Sequence, residues 1–451
     1  MKEKPQKISE KGGSFYIAVI LFLSFFMLSM IGLGNALVAG IIGVMLCTVG
    51  LAQGGTETDI WILLPLIGYN AISLVSGWMT FGDTINGFAS TQSLFPIIYL
   101  LLSYLESREK RMLKRLCAGW IGITAAIGIV QFTAAALGGN AERLSGIFGN
   151  PNAMGSILVI GWFALKSCIL EMDEKKSKLR GFFEALEFIV LAALALTLSM
   201  GSFAALAVGV LVMGISDKMS FRGFICMTAE IAFAMGTGIL MFAAGDRAQL
   251  GWLCVMLCLY IAAAALCRGT FTMFLNEKRW VAPVMAGLGI LTAGAALFLR
   301  PNAAATFGER IAMMRNGIRY LFESPLLGVG PYQWRGLNLA DGDLYFNTWH
   351  IHNVLIHVGV ELGLIAAVML VLTVIRHYIK KEDAAQRGGF TAAVIHNMID
   401  TGFFYLATVP FLMMTAGGSE QKRKKLPAAA ARVIFAAFVV LFAFNIYQSL
   451  R

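Results

Sequence analysis

Charged side chains are scarce in this chain: Asp, Glu, Lys and Arg make up 14% of its 451 residues, against roughly 25% in soluble domains. So few charges cannot cover a globular surface in water, which excludes a soluble fold of ordinary composition. In their place, 58% of the residues are hydrophobic. Nearly uncharged apolar runs of about 20 residues, the length that crosses a bilayer, recur from end to end. The sequence therefore predicts an all-α, polytopic transmembrane helix bundle of about 12–15 spans.

Three further absences narrow the class of protein. None of the seven cysteines lies in a predicted outer loop, which excludes a disulfide framework and any cysteine-based metal site there. No internal repeat is visible, so the repeat architecture of many transporters is not supported. The net charge of +10 comes from short basic clusters between apolar runs and not from one basic face. We therefore expect membrane lipid around the chain and no nucleic-acid partner.

The basic clusters set the orientation of the predicted spans, because Lys and Arg collect in cytoplasmic loops. With all clusters inside, the first apolar run is a retained helix and not a signal peptide, since a second span follows at once. The segment 383–417 carries Asp400, Thr401 and Gly402 at its middle, so we expect two short helices there in place of one. The other spans fall near 14–34, 36–52, 60–78, 92–105, 117–137, 153–170, 182–200, 201–216, 224–244, 251–267, 281–299, 354–375 and 429–448.

Two outer loops with distinctive content follow from this topology, 138–152 and 300–353, and the second is far longer than an ordinary connection. It contains a predicted amphipathic helix at 308–322, which suits a helix lying at the membrane surface. Arginines flank its apolar stripe (Ile311, Met314, Ile318, Leu321 and Phe322), with Arg310 on one side and Arg315 and Arg319 on the other.

Every cation predicted on the outer face is an arginine, and every lysine falls at a cytoplasmic end. Arginine presents a rigid fork of donors that can hold a phosphate or carboxylate with two bonds, and it stays charged near lipid. The outer arginines therefore suit an anionic head group. For Arg247 and Arg300, anchoring of a helix end at the interface is an equal alternative. The outer cations are Arg143, Arg247, Arg300, Arg310, Arg315, Arg319 and Arg335.

The long loop closes on a cluster of histidines. Three of the five in the chain, His350, His352 and His357, lie within eight residues at the start of a predicted span. A histidine at the outer mouth of a helix bundle can accept the proton of an incoming hydroxyl. We expect His350 on a more mobile loop end and His357 packed inside the helix. Two alternatives stay open: a zinc site completed by Asp341 and Asp343, and interfacial histidines that only bind backbone.

Four short sequence blocks follow one another along the chain: RLSGIFGNPN at 143–152, PLLGVG at 325–330, His352-Asn353 followed by ELG at 361–363, and, more weakly, His396 followed by Asp400. In order and spacing they resemble the O-antigen ligase and O-antigen polymerase family of bacterial envelope-polysaccharide enzymes, over roughly residues 140–417. The chain departs from the family pattern at Met200, where Ser-Arg-Gly is usual, and at Ala366, where a second glycine is usual.

The resemblance implies a GT-C-like membrane glycosyltransferase of the bacterial cytoplasmic (inner) membrane. Residues 1–137 would be N-terminal helices, 138–417 the catalytic core with the outer loop, and 418–451 a basic loop and a last helix. The implied reaction moves a glycan from a polyprenyl diphosphate-linked oligosaccharide to a hydroxyl of a glycan or lipid acceptor at the outer face. The family acts as polymerase or ligase, and needs neither metal nor cofactor.

The resemblance also assigns roles to individual residues. His352 would be the general base on the acceptor hydroxyl, while Arg143 and Arg315 hold the leaving diphosphate. Further substrate contacts are expected from Arg310, Arg319, Asn152, Asn353, His396 and Asp400.

A lipid-linked oligosaccharide flippase or another transporter is the first alternative. It would also be polytopic and basic, but its charges should lie inside the bundle, where ionisable residues mark a transport path. The acidic candidates, Asp400, Glu184, Glu187 and Glu230, form no obvious relay in the sequence. A relative of the cell-wall glycosyltransferases that shape rods and septa, and a structural membrane subunit, are the remaining alternatives.

Overall fold

The computed structural model describes residues 8–32, 34–82, 90–172, 178–278, 280–300, 302–340, 348–379, 383–416 and 423–450. Helices dominate, at 83% of the structure, which confirms the all-α prediction. They are α1 (Ile8–Met30), α2 (Ala36–Leu51), α3 (Ile60–Phe81), α4 (Ser90–Ser103), α5 (Ser107–Leu137), α6 (Pro151–Leu170), α7 (Lys178–Leu196), α8 (Met200–Ser216), α9 (Phe221–Gly245), α10 (Gly251–Leu266), α11 (Arg268–Glu277), α12 (Val281–Leu299), α13 (Ala303–Glu323), α14 (Gln333–Ala340), α15 (Val354–Ile379), α16 (Ala384–Asn397), α17 (Val409–Ala416) and α18 (Ala428–Ser449). Two short strands, β1 (Thr56–Thr58) and β2 (Lys424–Leu426), pair antiparallel.

Within the described part of the chain, seven helices are long and apolar enough to cross a bilayer, as expected of a multi-pass membrane protein. The helices α10 and α11, bent by 71° at their junction, make an eighth if they form one broken span. This is fewer than the predicted 12–15 spans, because several apolar runs fold into short helices. A helix of 16 residues such as α2 is about 24 Å long, less than the bilayer core of about 30 Å. The short apolar helices are Ala36–Leu51, Thr91–Ser103, Met200–Ser216, Val281–Thr292 and Leu406–Thr415.

Polar residues in the sequence determine where several helices begin. An Asn, Asp or Ser side chain immediately before a helix can accept hydrogen bonds from the unpaired N–H groups of its first turn. Six of the described helices start in this way, and their starts agree with the predicted segments within a few residues. The capping residues are Asn35 before α2, Asp59 before α3, Asn150 before α6, Ser220 before α9, Asn353 before α15 and Asp383 before α16.

The described helices group into two compact units. Unit 1 contains residues 1–114, 307–381 and 397–451, and unit 2 contains residues 115–306 and 382–396. The sequence alone suggested consecutive segments, whereas these units interleave along the chain. Most of the predicted site residues, including His352 and Arg310, belong to unit 1.

Small residues bring helices α2 and α18 close together in unit 1. A Cβ atom added at Gly43 or Gly50 would overlap the ring of Phe442 or Phe435, so only glycine lets those rings reach the α2 backbone. Membrane helices commonly associate through such stripes of small residues.

The strand pair and one ion pair fix one end of unit 1. Arg376, near the end of α15, bonds through Nε to Asp59 Oδ2 at 2.9 Å. Thr58, the residue before Asp59, pairs with Lys424 in the strand pair. The chain therefore leaves this end after α15 and returns to it before α18. Between those points it forms α16 and α17 with tight turns between them, which confirms the prediction of two short helices in 383–417.

Unit 2 contains a buried network of charges. Glu187, on α7, is 1% exposed, accepts a hydrogen bond from Arg268 and forms an ion pair with Lys166 at 3.2 Å. Arg268, the first residue of α11, also bonds to Glu230 on α9 at 3.0 Å, and Thr272 donates to the same carboxylate at 2.7 Å. Glu187 and Glu230, two acids that showed no obvious relay in the sequence, thus both bond to Arg268.

Candidate functional site

The site is built around a break in helix α15. Gly363 has φ 81° and ψ 173°, values that interrupt the helix inside a span and leave backbone groups without their usual partners. The segment 325–330 supplies the missing partners. Three backbone hydrogen bonds join them: Val329 N–H to Val360 O at 2.8 Å, Gly330 N–H to Glu361 O at 3.1 Å, and Leu364 N–H to Pro325 O at 2.8 Å.

Glycines make this close approach possible. Gly328 (φ 73°) and Gly363 (φ 81°) both have left-handed backbone conformations, which glycine adopts at little cost. A Cβ at Gly328 would overlap the carbonyl of Glu361, and a Cβ at Gly363 would overlap the carbonyl of Leu326. The blocks PLLGVG and ELG, about thirty residues apart in the chain, are therefore one packed structure.

Asn353 fixes the entrance of α15. Its side-chain oxygen accepts a bond from the N–H of Ile356 at 3.1 Å, which caps the helix. Its side-chain nitrogen donates to the carbonyl of Met398 at 3.1 Å. Both ends of this amide bind the protein, so Asn353 fixes the backbone directly after His352.

The structure gives His350 a firmer position than the sequence suggested. Its ring stacks on Phe404 at 4.3 Å with an interplanar angle of 12°, and its Nδ1 lies 3.1 Å from His357 Nε2. Burial, with His352 nearby, lowers the pKa of His350 to about 4. His350 is therefore neutral at ordinary pH and held by two neighbours, in contrast to the mobile loop end predicted for it.

Glu361 extends this cluster into α15, and sequence reasoning gave it no role. Its Oε2 lies 3.4 Å from His357 Nε2, and the N–H of Trp334 donates to its Oε1 at 3.4 Å. The side chain is largely buried, at 8% exposed. An acid inside a predicted span, four residues after a histidine, was the available signal, because such acids are costly in a membrane and usually paired.

Arg310 and Asp400 form a buried ion pair in unit 1. The Nη2 of Arg310 bonds to Asp400 Oδ2 at 2.9 Å, and its Nη1 donates to the carbonyl of Ile399 at 2.8 Å. The side chains are 9% and 1% exposed. Asp400 also accepts a bond from the N–H of Thr401 at 2.8 Å. Two residues predicted to contact substrate thus bind each other and join α13 to the turn after α16.

The remaining arginines of α13 face away from this pair. The helix packs on the protein through Met313, Gly317 and Tyr320, while Arg315 is exposed. Arg310 and Arg315 lie about 140° apart around the helix axis, at 100° per residue, so they do not converge on one point. Three residues of the predicted apolar stripe are exposed, Ile311 at 48%, Ile318 at 43% and Phe322 at 77%, and Arg319 lies over the ring of Tyr320 at 4.8 Å.

Arg143 and Asn152 belong to unit 2, where they bind each other. The Nε of Arg143 donates to the carbonyl of Thr197 at 2.8 Å, and its Nη2 donates to Asn152 Oδ1 at 2.9 Å. Asn150 caps α6 with bonds from the N–H groups of Asn152 and Ala153. The block RLSGIFGNPN is therefore a loop closed onto the start of α6 by its own arginine.

Two further predictions concern His396 and a zinc site at the histidine cluster. His396 is 1% exposed within α16 of unit 2. Among the described residues, no three His, Cys, Asp or Glu side chains lie together as a metal site would require. The aspartates proposed as zinc partners, Asp341 and Asp343, lie outside the described residues.

We expect the segment 300–353 to be extracytoplasmic, which labelling of single cysteines can test. Gly336, on α14, is exposed, and a Cβ added there meets no atom within 4 Å. In a cysteine-free background, Gly336→Cys should react with a membrane-impermeant thiol reagent in intact cells. Gly181, on α7 at a predicted cytoplasmic end, has the same open surroundings and is the matched control. Gly181→Cys should react only after lysis, and the opposite pattern would reverse the orientation.

No protein-family model matches this chain, and no curated protein matches it.

Proposed function

We propose that the protein is a membrane glycosyltransferase. It would move a polyprenyl-diphosphate-linked glycan onto an acceptor hydroxyl at the outer face of the bacterial cytoplasmic membrane, as a polysaccharide polymerase or ligase. The observation that most supports the proposal is the packing of PLLGVG against ELG at the break in α15. It gives these two blocks a shared purpose, which is to hold the histidine-bearing entrance of that helix in place.

His352 supplies the general base in this proposal. It removes the proton from the acceptor hydroxyl as that oxygen attacks the anomeric carbon of the donor glycan. The bond between the anomeric carbon and the diphosphate oxygen breaks, and the polyprenyl diphosphate leaves with the electron pair. Asn353 caps α15 and bonds to Met398, and it thereby holds the adjacent His352 in a fixed orientation.

Arginines stabilise the negative charge that develops on the leaving diphosphate. Arg315 suits this role in unit 1, because it is exposed on α13 and has no bond to another described residue. Arg319 adds charge beside Arg315 on the same helix. The resemblance also assigns Arg143, in unit 2, to the leaving diphosphate, and its substitution tests that role separately. Arg310, being paired with Asp400, holds α13 in place, and we assign it a positioning role.

Incubation of the purified protein in detergent with lipid-diphosphate-linked glycan and acceptor tests the proposal. We expect a longer or transferred glycan and free polyprenyl diphosphate. Because arginines stabilise the leaving group, the reaction should continue after exhaustive chelation of divalent ions. An intact donor after long incubation would contradict the proposed activity, and a strict requirement for an added metal would contradict the mechanism.

A lipid-linked oligosaccharide flippase is the second candidate, and one observation favours it. Glu187, Glu230, Lys166 and Arg268 form a buried charge network beside the bent junction of α10 and α11. Charges buried in a bundle and broken helices are common at transport sites. A flippase would move the donor across a vesicle bilayer and leave the bond between glycan and diphosphate intact.

A further inference from the structure

The hydrogen bonds around His357 determine which of its ring nitrogens carries a proton. The backbone N–H of Ile351 donates to His357 Nδ1 at 3.3 Å. A backbone N–H can only donate, so Nδ1 must offer a lone pair. The neutral ring therefore carries its proton on Nε2. That proton points between His350 Nδ1 at 3.1 Å and Glu361 Oε2 at 3.4 Å.

The tautomer of His350 follows from that of His357. Its Nδ1 faces a nitrogen that already carries a proton, so Nδ1 must be the acceptor and the neutral His350 ring carries its proton on Nε2. This state persists over the ordinary pH range, because burial lowers the pKa of His350 to about 4. The titratable groups facing the ring are His352 in its own loop and His357 on α15, with Glu361 behind it. On the neighbouring turn, Asp400 is paired with Arg310.

The remaining ring nitrogen of His350, Nε2, carries the proton, so it is a hydrogen-bond donor and cannot act as a base. No described residue accepts a bond from it, and the residue is partly exposed. The stack on Phe404 and the bond to His357 fix the direction of the ring. A fixed N–H donor in a site where negative charge develops stabilises that charge without reorganisation.

We infer that His350 binds an oxygen of the donor's diphosphate through its Nε2–H, as a neutral hydrogen-bond donor, and that His357 and Glu361 are positioning residues which fix its tautomer. This inference rests on the proposed function for its ligand but not for its tautomer. It divides the histidine cluster into two chemical roles: His352 accepts the proton of the acceptor, and His350 donates a bond to the leaving group.

Nitrogen-15 NMR of the histidine-labelled full-length protein in lipid tests the tautomer directly and needs no activity. With five histidines in the chain, single His→Gln replacements assign the signals. At pH 7, His350 and His357 should both be neutral and protonated on Nε2. A proton on Nδ1 of His350, or on both of its nitrogens, would overturn the inference.

Glu361→Gln tests the positioning role. It should lower the fraction of His350 in the Nε2–H tautomer, because the amide can donate as well as accept. Glu109, on α5, is equally buried at 8% exposed, so Glu109→Gln is the matched control and should leave the His350 signals unchanged. Unchanged signals in Glu361→Gln would remove Glu361 from the proposal.

Farnesyl diphosphate is the probe for the ligand. Its addition should shift the His350 Nε2 signal, while farnesol, which has the same chain without phosphate, should not. A shift with methyl glucoside and none with farnesyl diphosphate would make the ligand a sugar hydroxyl and overturn the assignment.

Transfer rates of two variants distinguish a hydrogen-bond donor from a general base at His350. His350→Ala should lose about tenfold in transfer rate, the scale of one hydrogen bond. His350→Gln, whose amide N–H₂ can reach the same oxygen, should recover most of that loss with an unchanged pH profile. Equal losses in the two variants would contradict the donor role.

Discussion

Replacement of His352 by alanine is expected to lower the rate of glycan transfer by about 10²–10⁴-fold, the usual contribution of a positioned general base. The loss should appear in turnover, because the variant keeps the arginines and the broken helix that hold the donor. The measurement is the initial rate of glycan transfer by the purified variant at saturating donor and acceptor.

Two controls keep this prediction specific. Binding of the lipid-linked donor by His352→Ala should match that of the unchanged protein, which excludes a folding defect. His350→Ala should lose much less activity, because the accessible Nε2 of His350 donates a hydrogen bond and is not the base. Product formation by His352→Ala at the normal rate would remove His352 as the base and leave it an interfacial, hydrogen-bonded histidine.

Arg315→Lys and Arg143→Lys should each lower activity by about 10²–10³-fold, the scale of a lost donor to developing charge. Lysine keeps the charge but cannot form two parallel bonds to a phosphate. Arg247 is also exposed and predicted on the outer face, so Arg247→Lys is the matched control and should be nearly neutral. The measurement is kcat/KM for the lipid-linked donor.

Thermal unfolding should distinguish Arg143 from Arg315, because they differ in their bonds to the rest of the protein. Arg143 binds Thr197 and Asn152, so Arg143→Lys should also lower Tm. Arg315 has no bond to a described residue, and Arg315→Lys should leave Tm unchanged. Full activity in Arg315→Lys would mean that charge alone is needed there, and the two-bond grip on the diphosphate would be wrong.

The helices were predictable from sequence because their signals are local. Apolar runs placed most of the predicted spans within a few residues of the observed helices, although α5 begins at Ser107, well before the predicted start at 117. Asn or Asp side chains mark the starts of α2, α3 and α6. The expected number of full spans exceeds the seven or eight long apolar helices found in the described part of the chain, since composition does not reveal how many residues of an apolar run become helical. The 16 residues of α2 illustrate this limit.

The site was only partly predictable, because its geometry depends on contacts between distant residues. Arg310 and Asp400 are 90 positions apart, so the sequence could nominate both for substrate without showing that they pair. The position of His350 depends on Phe404, an aromatic residue with no chemical signature of its own. Glu361 was visible as an acid in a span, but its role depends on the direction of the His357 ring.

The most direct measurement of the central claim is the fate of the donor in proteoliposomes that contain the purified protein. Lipid-linked glycan and acceptor are supplied on the side exposed to residues 300–353, and new glycosidic bonds and free polyprenyl diphosphate are counted together. The proposed reaction predicts one released diphosphate for each bond formed, with both lost in His352→Ala. Movement of intact donor across the bilayer without release of diphosphate would contradict glycosyl transfer and identify a flippase.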